Sequence, residues 1–164
     1  MRHAEAGERA KWTRPDELRP LTALGRSQAE GLIALLAETE IMRILTSPYV
    51  RCVQTVEPLA AVRGLPIETT DLLAEDAGDR ALERIVDPAA VPAVWCTHGD
   101  VLTDLMRTLI RDGVMVEGKT GCLKGSTWIL DVEDGRPLRA RYVPPRERLE
   151  QAAAPLRQTD GAAS

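Results

Sequence analysis

Hydrophobic and polar positions follow two different periods along the chain. Over residues 23–36 apolar side chains recur at every third or fourth position, which is typical of one face of a helix, and Thr22 suits its N-cap. Gly25 and Gly31 weaken this helix unless close packing requires them. Short apolar runs predict strands over 41–45, 67–70 and 93–96, and further helices are predicted over 49–62, 79–86 and 101–110.

The remaining segments predict a hairpin, a loop and a tail. Alternating runs over 127–132 and 138–143 flank the turn residues 133–135 and predict the hairpin. Residues 4–20 are polar, contain Pro15 and Pro20, and are expected to form a loop. We expect one domain over 1–145 and a frayed or disordered tail over 146–164, where Pro, Arg, Gln and Ala dominate.

Strands that alternate with helices indicate an α/β layered fold. In such folds ligands bind at the carboxyl ends of the strands. The loops after Met1, Leu45 and Cys96 are therefore the places where a binding site is expected.

Composition narrows the range of functions. The 164 residues, 44% hydrophobic and 28% charged, are ordinary for one globular domain, and the net charge of -4 disfavours binding of nucleic-acid polymers. No apolar stretch is long enough to cross a bilayer, and three cysteines favour reduced thiols in the cytoplasm. With two histidines and no CxxC pair, the sequence predicts no metal site and no other cofactor.

Both histidines of the chain lie beside predicted strand ends and have arginines near them. Arg2 precedes His3, Arg51 opens the helix after a predicted strand, and His98 follows another strand. A neutral imidazole can attack phosphorus, and its reference pKa near 6.5 keeps it mostly neutral at pH 7. Guanidinium groups match phosphate oxygens in a planar fork. This set predicts a phosphoryl-transfer site with a histidine nucleophile.

The leaving alkoxide of such a reaction needs a proton. Its best donors are Glu75 and then Asp76, in the loop after the second predicted strand. Taken one by one, the elements have plainer alternatives: a surface pair for Arg2-His3, an ordinary helix start for Arg51, a structural histidine for His98 and a solvated loop for Glu75-Asp76. Their common position at strand ends favours one site, and Cys52 and Cys96 are more simply packing residues.

Four segments resemble motifs of the histidine phosphatase superfamily, the phosphoglycerate mutase-like proteins. The segments are Arg2-His3-Ala4 (RHG or RHA), Arg19-Pro20-Leu21-Thr22 (the RPLT of the SixA-type short branch), residues 47–55 (SPxxRxxQT) and Thr97-His98-Gly99 (the second histidine motif). The segments follow the order of the family, and the resemblance covers roughly residues 2–110. Residues 2–7, 54–60 and 124–128 further resemble the C-terminal domain of actinobacterial MutT-type Nudix hydrolases.

The resemblance implies a three-layer αβα sandwich of the phosphoglycerate mutase type. It assigns the phosphorylated nucleophile to His3 and the proton donor to Glu75, or else Asp76. The phosphate pocket that it implies consists of Arg2, Arg51 and His98. Arg9, Lys124 and Asp76 are candidate substrate contacts, and Arg9, Lys11 and Arg14 are candidates for the entrance of the site. The basic side chains among them are equally consistent with solvated charge.

One departure from the family concerns the start of the chain. In the family a buried apolar strand precedes the Arg-His pair, between partners that resemble residues 41–45 and 93–96, whereas here only Met1 precedes it. We therefore expect a truncated first central strand, unpaired neighbours and a frayed end that carries His3. A start codon assigned too late, or a fragment of a longer chain, would explain this pattern.

The sequence favours a metal-independent phosphatase that forms phospho-His3 and hydrolyses a nucleotide or another small phosphate ester. The alternatives are a SixA-type phosphohistidine protein phosphatase and a non-catalytic phosphate-binding domain that partners a Nudix hydrolase. We expect a cytoplasmic protein that acts on a small phosphate or a phosphorylated protein, not on a membrane or a nucleic-acid polymer.

Overall fold

The computed structural model describes residues 1–85 and 91–145, and through most of this length helices and strands alternate. The helices are α1 (Ala23–Leu35), α2 (Val50–Arg63), α3 (Leu82–Ile85) and α4 (Gly99–Arg111). The strands are β1 (Arg43–Thr46), β2 (Ile67–Thr69), β3 (Ala93–Cys96), β4 (Met115–Glu117), β5 (Thr127–Glu133) and β6 (Arg136–Val143). Three-residue 3₁₀ turns cover Arg9–Lys11, Asp16–Leu18 and Asp71–Leu73.

Local signals set the ends of the helices as the sequence predicts. The Thr22 side chain accepts a hydrogen bond from the backbone N–H of Gly25 and caps α1. A Cβ at Gly25 would lie 1.9 Å from the carbonyl oxygen of Glu5, so close packing does require this glycine. Gly64 ends α2 in the left-handed conformation, with φ of 65°.

Two small sheets form the centre of the fold. The first is parallel, with strand order β2-β1-β3, and the second has the order β4-β6-β5. In the second sheet β5 and β6 form the predicted antiparallel hairpin, while β4 pairs with β6 in parallel.

The first three residues join the two sheets. On one side, the Met1 amino group donates to the carbonyl of Trp95. The N–H of Thr97 donates to the carbonyl of Met1, and the N–H of His3 donates to the carbonyl of Thr97. On the other side, Arg2 donates to the carbonyl of Ser126, just before β5. The N-terminal segment thus acts as a short strand between β3 and the hairpin.

This arrangement corrects two expectations from the sequence. β1 pairs directly with β3 along residues 43–46 and 93–96, so the first strand does not lie between them, and both retain backbone partners. His3 is not on a frayed end, because its N–H and its carbonyl oxygen are bonded to Thr97 and Gly125 and only 4% of its surface is exposed. Pairing on both edges holds this segment in place.

Each sheet packs against its own helices. One core cluster combines α1 and α2 with β1 and β3 through Leu32, Val56, Leu59, Ile44 and Cys96, all buried. A second cluster places the apolar face of α4, including Leu105 and Leu109, against Ala140 and Trp128 of the hairpin. Cys52 and Cys96 lie in the first cluster, as expected of packing residues.

Two elements differ from the prediction. β4 was not predicted, because three residues are too short to show a strand period. The helix predicted over 79–86 is limited to α3, and its last residue, Val86, lies outside the described residues. The predicted tail over 146–164 also lies outside them. Among the described helices, none is long and apolar enough to cross a membrane.

Candidate active site

His3 presents one defined ring nitrogen to the site. Its Nδ1 lies 2.7 Å from the carbonyl oxygen of Ala4, which can only accept, so Nδ1 carries the proton. The lone pair is therefore on Nε2, where Arg51 donates its Nε–H across 3.3 Å. The pKa of His3 is lowered to about 3, mainly by burial and also by the charge of Arg51. The hydrogen bond to Ala4 opposes this shift but is outweighed. The imidazole is thus neutral, with its Nε2 free of a proton.

Arg51 is the centre of the site and is fully buried. It lies in the first turn of α2, directly after the loop that follows β1. Its Nη1 donates to the backbone carbonyl of Asp16 at 2.8 Å and lies 3.0 Å from the Asp16 carboxylate. Its Nη2 donates to Glu75 Oε1 at 2.5 Å and lies 3.2 Å from His98 Nδ1. One side chain thus connects both histidines with two carboxylates.

His98 closes the other side of the site. It is the N-cap residue of α4, and its ring lies 5.4 Å from the ring of His3, centre to centre. Nε2 lies 2.8 Å from the hydroxyl oxygen of Ser47, which fixes the ring, and Nδ1 lies 3.4 Å from Glu75 Oε1. Burial, and then the charge of Arg51, lowers the pKa of His98 to about 3, so this imidazole is also neutral.

Arg2 reaches the same region from the strand-like N-terminal segment. Its Nη1 donates to the carbonyl of Cys122 at 2.6 Å, and its Nε is buried without a hydrogen-bond partner among the described residues. The guanidinium lies against Gly99, where a Cβ would approach Cζ to 2.9 Å. The glycine after His98 therefore makes room for Arg2.

The two acidic candidates are placed differently. Glu75 is half-buried and contacts both Arg51 and His98. Asp76 is exposed, with a positive φ of 61°, and its N–H donates to the Asp100 carboxylate. Both line the cleft, but only Glu75 touches the described phosphate-pocket candidates.

A cleft of about 940 Å³ is lined by all the predicted site residues except the fully buried Arg51. Its lining includes Arg9, which pairs with Glu75 at 3.2 Å, and Lys124, which lies 3.4 Å from Glu5. Lys11 and Arg14 do not line the cleft: Lys11 pairs with Glu8, and Arg14 lies over the ring of Trp12. Both side chains are exposed, which fits the alternative of solvated charge better than a place at the entrance.

Two residues at the site were missed as functional candidates. Asp16 pairs with Arg51 and also with Arg19, which is buried and bonds the Asp16 carboxylate at 2.7 Å. Ser47 positions His98, although it stands in the motif that was recognised. The three-residue spacing of Asp16 and Arg19, which suits an ion pair, was the sequence signal that could have identified Asp16. In the described ranges, 1–85 and 91–145, no group of three or more His, Cys, Asp or Glu could hold a metal ion.

Comparison with known proteins agrees with this geometry. Residues 1–86 match the family model of the histidine phosphatase superfamily, branch 1. An 8-oxo-(d)GTP phosphatase of Mycolicibacterium smegmatis is 36% identical over 155 residues, which cover 90% of this chain and 48% of that protein. The chain thus spans about half the length of this relative.

Solved structures show the same fold. The protein histidine phosphatase SixA, solved with tungstate, superposes with a TM-score of 0.67 at 20% identity, over 88% of this chain and 92% of that one. YhfR of Bacillus stearothermophilus gives a TM-score of 0.63 at 23% identity, over 83% and 91%. The α/β fold predicted from the sequence is therefore confirmed. The family match over residues 1–86, which include His3, Arg51 and Glu75, establishes that the chain belongs to the histidine phosphatase superfamily, branch 1.

Proposed function

We propose that this chain hydrolyses a phosphate monoester, with a nucleotide as its substrate class, through a phosphohistidine at His3. The observation that carries the proposal is the state of the His3 ring. Its proton is held on Nδ1 by the Ala4 carbonyl, and its Nε2 lone pair lies beside Arg51 in a cleft. A neutral imidazole beside guanidinium groups is the arrangement that attack on phosphorus requires.

In the first step, the Nε2 lone pair of His3 attacks phosphorus while the bond to the ester oxygen breaks. Glu75, in its acid form, gives its proton to the leaving oxygen. Arg2, Arg51 and His98 donate hydrogen bonds to the phosphoryl oxygens, where negative charge is spread in the transition state. The products of this step are the free alcohol and phospho-His3.

In the second step, water attacks the phosphorus of phospho-His3. The Glu75 carboxylate takes the proton of the attacking water, and the electron pair of the phosphorus–nitrogen bond returns to Nε2. Inorganic phosphate leaves, and His3 and Glu75 regain their starting forms. All roles use residues of this chain.

The substrate class rests on two supports. The Mycolicibacterium smegmatis relative, named an 8-oxo-(d)GTP phosphatase, acts on a nucleotide. The cleft of about 940 Å³ is at the upper end of the volumes that small-molecule sites have, and Arg9 and Lys124 lie in its lining, each beside a glutamate. Together they favour a small phosphate ester over a bare phosphate.

One assay tests the reaction. Hydrolysis of an aryl phosphate is measured with EDTA present for the wild type, His3→Gln and, as a control on an exposed loop residue, Lys11→Gln. We expect loss of activity only in His3→Gln, and an acid-labile, base-stable phosphoenzyme only where His3 is present. Full activity of His3→Gln would overturn the mechanism.

A second assay tests the substrate class. Rates for nucleoside phosphates are compared with the rate for a phosphohistidine peptide, since SixA-type activity was the alternative. Preference for the peptide would overturn the nucleotide proposal.

The Nudix hydrolase partner stays a prediction, and the three free cysteines support the proposed cytoplasmic location.

A further inference from the structure

Glu75 contacts two of the groups that the proposed mechanism assigns to phosphate binding. One of its oxygens, Oε1, lies 2.5 Å from Arg51 Nη2 and 3.4 Å from His98 Nδ1. Its other oxygen, Oε2, lies 3.2 Å from Arg9 Nη1. A single carboxylate oxygen of Glu75, which lines the cleft, thus lies between a nitrogen of the buried Arg51 and a nitrogen of His98.

A phosphate oxygen that accepts from the same two nitrogens needs the same position. Two anionic oxygens cannot share it, because both the overlap and the like charges oppose this. We propose that the Glu75 carboxylate and a phosphate oxygen compete for the position between Arg51 and His98, so that substrate binding displaces Glu75 toward the leaving group. This inference rests on the proposed function. It gives Glu75 a second role beside that of proton donor, namely competition with the phosphate for Arg51 and His98.

The second carboxylate on Arg51 is held much more firmly. Asp16 bonds Arg51 through its backbone carbonyl as well as its side chain. Arg19 holds the same carboxylate at 2.7 and 3.3 Å, and Arg19 is itself anchored on the carbonyl of Ala6. An incoming anion therefore displaces Glu75 and leaves Asp16 in place.

The backbone on both sides of Glu75 is fixed, so its side chain can turn while the loop stays. The hydroxyl of Thr97 donates to the carbonyl of Leu73, and the N–H of Asp76 donates to the Asp100 carboxylate. Rotation about the side-chain bonds of Glu75 is enough to leave Arg51.

Arg9 gives the displaced carboxylate a partner. The Arg9 side chain is 68% exposed at the cleft, and it already contacts Oε2 of Glu75. A carboxylate that moves with Arg9 stays at the cleft, beside the position from which an ester oxygen leaves. Arrival of the phosphate would thus place the carboxyl group that, once it has taken up a proton from solvent, protonates the leaving oxygen.

Titration of the full chain with inorganic phosphate in a calorimeter tests the competition. Glu75→Asp keeps the charge but shortens the side chain, and Glu75→Gln keeps the length but removes the charge. We expect both variants to bind phosphate roughly tenfold more tightly than wild type, since one charged hydrogen bond no longer competes. Their kcat for an aryl phosphate should fall at the same time.

Asp104→Asn is the matched control, because Asp104 lines the cleft and pairs with Arg107. It removes one negative charge at the cleft and should leave phosphate affinity unchanged. Equal tightening by Asp104→Asn and Glu75→Gln, or wild-type affinity in Glu75→Asp, would show a general charge effect and overturn the inference. Thermal melting confirms that each variant is folded; should Glu75→Asp not fold, the comparison of Glu75→Gln with Asp104→Asn decides.

The outcome also separates this inference from the proposed function. If wild type and variants bind phosphate equally while hydrolysis depends on His3, only the competition is wrong. If the wild type binds no phosphate and hydrolyses no ester, the proposed function fails, and the inference fails with it.

Discussion

Arg51 donates its Nε–H to Nε2 of His3 across 3.3 Å, and both side chains are buried. This contact places the guanidinium beside the nitrogen that the proposed mechanism phosphorylates. It also helps to keep the imidazole neutral, since a positive charge at this distance opposes protonation. In the proposed mechanism, one arginine thereby orients the nucleophile and binds the group that the nucleophile attacks.

Arg51→Lys should lower kcat/KM for an aryl phosphate by at least about 100-fold, because a lysine cannot reproduce the four directed contacts of the guanidinium. Steady-state kinetics measures this loss. Arg63→Lys is the control: Arg63 lies at the other end of α2 and bonds the carbonyls of Leu36 and Ala37. A comparable loss of activity in both variants would mean that any change in α2 disables the protein and that Arg51 has no special role.

Asp16 acts through Arg51 and is expected to behave as a positioning residue. Asp16→Asn keeps the size of the side chain but removes the charge that aligns Arg51, so kcat should fall roughly tenfold. Glu8→Gln is the control from the same loop, since Glu8 forms an exposed pair with Lys11 and such pairs contribute little. Kinetics and thermal melting of both variants separate the roles: a fall in melting temperature that accounts for the whole loss of activity would make Asp16 merely structural.

The sequence predicted those parts of the fold and site that local signals determine. Thr22 and Gly64 mark helix ends through their own conformational preferences, whatever the rest of the chain does. The position of His98 at the start of α4 follows from the predicted order of strand, turn and helix. Their positions near predicted strand ends supplied Arg51 and Glu75 as partners of the histidines, and the structure brings these side chains together.

What the sequence did not predict depends on contacts between distant segments. Asp16 meets Arg51 only because the polar loop over 4–20 folds back over α2, and no local period records this. The order of parallel strands is equally hidden, since residues 93–96 pair with 43–46 across α2, β2 and α3. For this reason the segment that carries His3 was placed on the wrong side of β3.

The two buried histidines predict how stability depends on pH. Their folded-state pKa of about 3 lies below the ordinary 6.5, so the unfolded chain binds more protons as the pH falls below about 6.5. Stability should therefore decrease from about pH 6.5 toward pH 3. Between pH 7 and pH 5 each histidine should remove roughly 2 kcal/mol from the free energy of unfolding.

Urea unfolding at both pH values measures this effect. In His3→Gln and His98→Gln, the free energy of unfolding should fall less than in wild type, by roughly 2 kcal/mol in each variant, because glutamine does not titrate. Parallel losses in wild type and both variants would instead assign the acid instability to carboxylates. The same pKa values predict that activity between pH 5 and 7 is not limited by protonation of His3.

Two glycines of the fold should respond to the same substitution in opposite ways. At Gly25 an added Cβ would lie 1.9 Å from the backbone oxygen of Glu5, which cannot move without breaking the segment that follows His3. Gly25→Ala should therefore destabilise the fold by several kcal/mol, roughly as overpacking of a tight core does. Thermal melting measures this change.

At Gly99 the added Cβ would meet the Arg2 guanidinium, 2.9 Å from Cζ, which is the far end of a flexible side chain. Gly99→Ala should leave the melting temperature close to that of wild type, since alanine favours the first turn of α4. Displacement of Arg2 should instead weaken binding of inorganic phosphate and raise KM, because one charged donor moves out of the pocket. Calorimetry and kinetics on both variants test the contrast: an unstable Gly99→Ala with normal phosphate affinity would show that Gly99 serves packing and that Arg2 does not bind the phosphate.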